Sequence, residues 1–346
     1  METQRDIIGM LDLIHLPAFC VKNNQIVTAN PAAEGRLICP GTDVRTLLHT
    51  GKEEYEAFQS GCLYLTLNEL GGNCGCSVSR IGDYDVFVLD QEAEDIWLRA
   101  FSLAALELRQ PLLNAMLSAE RIARDSENSD QLARLNRGLH QLHRVINNMS
   151  DASRFGSISH QEIRDLSRVF AEIFDKAQTL VAHTGIRLTY QGLNQEALSL
   201  ADREQLERAV LNMLSNAIKF TPEGGCIAAS LSRRGNLLQL RIQDRGCGIP
   251  EAILPHVFTR YTRQPGIEDS RFGLGLGMVL IRSAAANHGG TVLIDQPDDC
   301  GTRVTMTMQL RQGQSTTVRT PIALPGGQDL GLIELSDCLP ASVYEK

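Results

Sequence analysis

Leu211-Asn212-Met213-Leu214-Ser215-Asn216-Ala217-Ile218-Lys219-Phe220-Thr221-Pro222-Glu223-Gly224-Gly225 is the stretch on which the fold turns. It closes a helical pattern that Asp202 is placed to cap. On that helix Asn212 and Asn216 stand four residues apart and share one face, with Lys219 a turn further on. An asparagine amide offers a neutral oxygen suited to a Mg²⁺ that already carries phosphate ligands, and a lysine offers a point charge to phosphate oxygens. Paired asparagines also occur on ordinary helix surfaces, so their meaning depends on the flanking chain.

Two further stretches lie downstream. Asp244-Arg245-Gly246-Cys247-Gly248-Ile249 ends a strand-like run; its carboxylate can accept from the exocyclic amine of adenine, and its glycines permit close approach. Gly273-Leu274-Gly275-Leu276-Gly277 carries glycine at alternate positions just before an apolar helical series, so consecutive N–H groups can close on an anion there. The spacing departs from the Gly-x-Gly-x-x-Gly of dinucleotide folds, because Met278 stands where the last glycine belongs.

In this order and spacing the stretches resemble the ATP-binding domain of histidine kinases and their relatives, the group that includes DNA gyrase, a heat-shock chaperone and mismatch-repair ATPases. Leu211 to Gly225 follows the kinase branch's asparagine box, Asp244 to Ile249 its first glycine box, Phe272 to Gly277 its second, and Cys300-Gly301-Thr302 its last glycine-threonine element. The resemblance implies an α/β-sandwich domain over residues 158–311 with ATP and Mg²⁺ as cofactors. It implies Asn216 as the metal ligand, Asn212 and Lys219 on the phosphates, and Asp244 reading adenine beside Gly246, Gly248 and Thr302. Gly273, Leu274, Gly275, Leu276 and Gly277 would wrap the β- and γ-phosphates. Phe258, Arg260 and Arg263 fall in a segment that looks like the family's ATP lid, which positions the γ-phosphate and excludes water. Asn212 stands where the chaperone and topoisomerase branches carry a water-activating glutamate, which favours the kinase branch.

Upstream, from Ala93 to Phe155, strand patterns vanish. Phe101, Ala105, Leu108, Leu112, Ala115, Ala119 and Ile122 recur at helical spacing, as do Leu132, Leu135, Leu139, Leu142, Ile146 and Met149 after a polar break. Residues 93–157 therefore read as a two-helix hairpin that needs a second copy to cover its apolar stripe, giving a four-helix bundle in a homodimer. Ala105-Leu106-Glu107-Leu108-Arg109-Gln110-Pro111-Leu112 resembles the family's phosphoacceptor segment, but Leu106 stands where the histidine belongs. Leucine has no lone pair to attack phosphorus, so self-phosphorylation at that position is chemically excluded. Leu106 then serves either as a docking surface for the ATP domain or as bundle core. By the resemblance Glu107 would act as base toward the missing acceptor, and Gln110 could orient the water that dephosphorylates a response regulator. His140 and His143, three apart on the second helix, are the alternative acceptors, with a partner's histidine a third.

Residues 1–92 read as a small mixed domain. Strand-like Ala18 to Val21 and Ile26 to Thr28 flank the turn Lys22 to Gln25, and Asn30-Pro31-Ala32-Ala33 opens a helix. This resembles a PAS sensor domain. Residues 312–346 carry Pro321, Pro325, Gly326 and Gly327 without a clear period and read as an extended or disordered tail, although Ile322 to Leu324 and Leu330 to Leu335 are apolar enough to dock on a neighbour.

Composition narrows the rest. A net charge of −8 argues against nucleic acid as a partner. No apolar run reaches the roughly 18–20 residues of a membrane span, and no signal peptide is evident, so a cytoplasmic protein is expected. The nine cysteines lack metal-site spacing and read as reduced thiols. The whole is expected to be a multidomain α+β sensor of the two-component signalling class. It would be a degenerate histidine kinase that acts on a response-regulator receiver domain by phosphatase action or ATP-gated binding; the alternative is an active kinase, a transferase, using a non-standard acceptor.

Overall fold

The computed structural model describes residues 11, 14–34, 36, 38–69, 72–90, 108, 111, 114–115, 129–153, 161–250, 253–254, 257–258, 276–297, 300–311 and 329–344. In the N-terminal region, β1 (Ala18–Lys22) and β2 (Gln25–Ala29) form a hairpin, followed by the short helices α1 (Pro31–Glu34) and α2 (Lys52–Glu56). Then come β3 (Cys62–Glu69), β4 (Gly72–Ile81) and β5 (Tyr84–Leu89). The long helix α3 (Ser129–Ser153) is the second helix of the expected hairpin. Of the first, only Leu108, Pro111, Asn114 and Ala115 are described, all helical.

The C-terminal half is a two-layer α/β structure. It comprises β6 (Glu162–Asp165), α4 (Leu166–Ala182), β7 (Arg187–Gln191), β8 (Leu198–Ala201), α5 (Arg203–Phe220), β9 (Cys226–Arg234) and β10 (Leu237–Gln243). After these come α6 (Leu276–Asn287), β11 (Val292–Asp295), β12 (Arg303–Gln309) and α7 (Leu330–Glu334). Alternation along β10 sends Leu238, Leu240 and Ile242 into the core and Gln239 and Arg241 to the other face. Against them pack Phe170, Phe174 and Ala177 of α4 and Leu206, Val210 and Leu214 of α5, all buried. Both helices begin at capping aspartates: Asp165 accepts from Ser167 N–H and Asp202 from Gln205 N–H, each at 3.1 Å. The β9–β10 hairpin turns through Gly235 (φ +57°) and Asn236.

Among the features not read from the sequence, two shape the architecture. The first is β4, whose Gly-Asn-Cys-Gly-Cys-Ser start hides the alternation of a strand. The second is that all but two of the described strands join one mixed sheet in the order β2-β1-β5-β4-β3-β11-β12-β10-β9-β7, with β6 and β8 paired separately. The seam is antiparallel: Cys62, Leu63 and Tyr64 of β3 face Ile294, Leu293 and Val292 of β11. Residues 330–344, read as part of an extended or disordered tail with a run at Leu330 to Leu335 able to dock, form α7 and a 3₁₀ turn at Ala341–Tyr344. Leu330, Ile333, Leu335, Leu339 and Tyr344 are all buried.

At the seam Gly61 adopts φ +98°, and a Cβ there would lie 2.2 Å from the Ile294 carbonyl oxygen. Only glycine tolerates both conditions. Gly61→Ala should therefore cost about 2–4 kcal/mol in chemical denaturation, the range for a forced backbone clash at a left-handed position. A loss below about 0.5 kcal/mol would be inconsistent with this seam.

Candidate functional site

The asparagine helix and the strand-end carboxylate come together as the sequence anticipates. Asp244 is buried at the end of β10, and its Oδ1 accepts from the amides of Gly246 (2.8 Å) and Thr302 (3.1 Å). Both bonds fall on Oδ1, leaving Oδ2 as the carboxylate's second acceptor. Burial pushes the Asp244 carboxyl upward, opposed by those two amides. The turns around it need their glycines: a Cβ on Gly246 would stand 2.5 Å from the Phe220 carbonyl oxygen, and one on Gly301 2.1 Å from that of Asp244. These contacts draw the end of α5, the end of β10 and the start of β12 into one corner.

Along α5, Asn212 is buried and Asn216 half-buried. The start of α6, where the alternating glycines end, packs onto Asn212 so closely that a Cβ on Gly277 would lie 3.0 Å from its Oδ1. Leu276 is buried beside it. Two of the sequence motifs thus meet at one amide. The far end of α6 is tied back as well: His288, buried, accepts from the Asp202 amide through Nε2 (3.1 Å), while its Nδ1 lies 2.7 Å from the Ala284 carbonyl. Those two partners require the neutral, Nδ1-protonated ring.

Of the other expected site residues, Phe258 sits in the core with its ring centroid 5.5 Å from that of Tyr64, and its carbonyl accepts from Arg282 Nη1 at 3.0 Å. Gly248 adopts φ +74° in the turn after Asp244. Leu106, Glu107, Gln110, Arg260, Arg263, Gly273, Leu274 and Gly275 lie outside the described residues. His140 and His143 are on α3; His140 Nδ1 is 2.8 Å from the Asn136 carbonyl and its ring meets Tyr344 edge-on at 5.0 Å.

Four residues that sequence reading did not select stand on the Asn212–Lys219 face. Glu334 Oε2 accepts from Asn212 Nδ2 at 3.2 Å, and Asp337 Oδ2 lies 3.0 Å from Lys219 Nζ. The Cys338 thiol is 3.5 Å from Ser215 Oγ. Arg144 of α3 pairs with Asp337 and stands 3.6 Å from Glu334. Burial pushes the Asp337 carboxyl up, but Arg144 and Lys219 outweigh it and hold that group below the usual carboxylate range. Glu334 shifts the other way, because its burial exceeds the pull of Arg144, Arg208 and Asn212. The only sequence signal for this contact is the apolar run Leu330 to Leu335 beside two acids.

Comparison with known proteins agrees with this geometry. Residues 201–312 match the family described as histidine kinase-, DNA gyrase B-, and HSP90-like ATPase. Among curated proteins, the chain is 27% identical over 229 residues to the sensor histidine kinase CusS of Escherichia coli strain K12, covering 63% of this chain and 47% of that protein. It is 26% identical over 243 residues to WalK of Bacillus subtilis strain 168 (67% and 39%) and 30% identical over 203 residues to the probable sensor protein PcoS of E. coli (56% and 42%). The chain thus spans less than half the length of these relatives. No helix among the described residues is long and apolar enough to cross a membrane.

His288 gives a pH prediction. Burial lowers its pKa from the ordinary 6.5. The unfolded chain therefore binds the proton at a pH where the folded chain does not, and stability is fully present above that value and falls as pH drops below it. Denaturation between pH 7.5 and 5.5 should show this loss, with a slope of up to about 1.4 kcal/mol per pH unit, the one-proton limit. His288→Gln should flatten it.

Proposed function

We propose that this chain is the signalling part of a two-component sensor that binds ATP with Mg²⁺ and acts on a response-regulator receiver domain. The observation that carries the reading is the corner where Asp244, oriented by the Gly246 and Thr302 amides, faces the end of the helix bearing Asn212, Asn216 and Lys219. The donor set suits the nucleotide: a fixed carboxylate acceptor for the adenine amine, amide oxygens for Mg²⁺, a lysine for phosphate. When bound, ATP would supply a transferable γ-phosphoryl group and a charge that rewards closure of the site.

With leucine at 106, we read the chain as lacking self-phosphorylation at the usual position and as tuning its partner instead, through Gln110-assisted dephosphorylation or ATP-gated binding. The five antiparallel strands β2-β1-β5-β4-β3 support a PAS-like input domain. The apolar stripe of residues 93–157 supports dimerisation through the helical hairpin. His140 is a poor substitute acceptor, since its Nδ1 faces a helix carbonyl and its ring lies against Tyr344.

Titration with ATP–Mg²⁺ should show saturable binding, weakened about 30-fold or more by Asp244→Asn, the cost of replacing a buried charged acceptor with a mismatched amide. Incubation with γ-labelled ATP should leave no acid-labile label on the chain. Label that disappears in the His140→Asn/His143→Asn double variant would overturn the degenerate reading in favour of a kinase with a non-standard acceptor.

A further inference from the structure

The segment 329–344 does more than complete the core. On α5, residues 212, 215 and 219 lie on one face at i, i+3 and i+7, and each meets a side chain of this segment: Asn212 meets Glu334, Ser215 meets Cys338, and Lys219 meets Asp337. This is the face assigned above to the phosphates. Lys219, the cation expected to meet a phosphate oxygen, already has a carboxylate oxygen 3.0 Å from Nζ. Asn212 donates to a second carboxylate. A phosphate placed here would lie beside two acids and would have to take Lys219 from one of them.

The far side of the segment is held by α3. Arg137 donates from Nε to the Ser336 carbonyl (3.0 Å) and from Nη2 to that of Asp337 (3.1 Å), and Asn136 donates to the Tyr344 carbonyl at 3.1 Å. Arg144 shares Asp337 with Lys219. The segment is therefore a staple whose acids join a hairpin helix to the nucleotide-site helix. Its closure is incomplete in hydrogen-bonding terms: the buried Glu334 Oε1 and Ser336 Oγ have no hydrogen-bond partner among the described residues. Opening returns both to water and relieves that desolvation cost.

We propose that residues 329–344 form an acidic plug that competes with the triphosphate end of the nucleotide for Asn212 and Lys219, and that ATP–Mg²⁺ binding displaces it and releases α3. The proposal rests on the ATP reading above. A site that is open only part of the time binds with an affinity reduced by the open fraction. Neutralising the acids should raise that fraction while leaving the adenine end unchanged.

The test compares the full chain with its Glu334→Gln/Asp337→Asn variant, using ATP–Mg²⁺ and, separately, adenosine as titrants. ATP–Mg²⁺ should bind the variant about tenfold more tightly, as expected when a site closed about nine-tenths of the time is opened, and adenosine should bind both equally. Equal ATP affinity in the two chains would overturn the plug and leave the ATP reading standing. Tightening shared by adenosine would also overturn it, pointing to general loosening of the domain. Absence of ATP binding by both folded proteins would overturn both proposals. Should the variant not fold, the wild-type chain decides: alkylation of Cys338, followed by peptide mass spectrometry, should accelerate at least severalfold on adding ATP–Mg²⁺ and not on adding adenosine. An unchanged rate under saturating ATP would overturn the plug.

Discussion

A strand with one neighbour leaves a row of backbone donors and acceptors unpaired, and β11 has only β12 within its own half of the molecule. The pairing of β3 with β11 meets that need, and much of the architecture follows from it. It sets the N-terminal strands in line with the nucleotide-site strands and brings α2 close enough for Thr307 Oγ1 to donate to Glu54 at 2.9 Å. It also carries Tyr64 into the core shared with Phe258 and α6. A flexibly linked pair of domains could vary in relative orientation; a shared ladder and a shared core hold this pair in one register.

The second organising element is charge. Arg144, Lys219, Glu334 and Asp337 lie within one network drawn from three separate stretches of chain. Buried ions are costly unless paired, and removing one partner leaves the others exposed to the full desolvation penalty. The opposite shifts of Glu334 and Asp337 express this balance: Asp337, bonded directly to Arg144 and Lys219, stays ionised easily, while Glu334, more deeply buried and hydrogen-bonded to neither of its neighbouring arginines, is pushed upward. Such a network suits a joint with discrete closed and open arrangements better than one that yields gradually.

How much of this was legible depended on the range of the interaction. The positions of Asn212, Asn216, Lys219 and Asp244 on a helix face and at a strand end were legible because helix period and strand ends place them without tertiary information; Thr302 entered only through the family resemblance. By contrast, Val292 and Tyr64 are remote in the chain, and no local pattern announces that their strands pair. The helix α7 spans only five residues, too few for a period, and its position comes from burial of Leu330, Ile333 and Leu335 against the rest of the core. β4 was hidden by cysteine, glycine and serine, which fill strand positions here without advertising a strand.

Arg282 adds a constraint on how this molecule can be recombined. Its side chain is wholly buried on α6, bonded through Nη1 to Asp90 at 2.8 Å, with its guanidinium 4.9 Å from the Tyr64 ring centroid. Both of those partners come from the N-terminal region, whereas Arg282 belongs to the helix that starts at the glycine stretch. Grafting a different N-terminal region onto this half would take the carboxylate and the aromatic ring away from a buried guanidinium, leaving the Phe258 carbonyl, unless the graft brought its own acid and ring to the same places. The two halves are therefore not interchangeable cassettes, and any exchange between them must move Tyr64, Asp90 and Arg282 as one inherited unit.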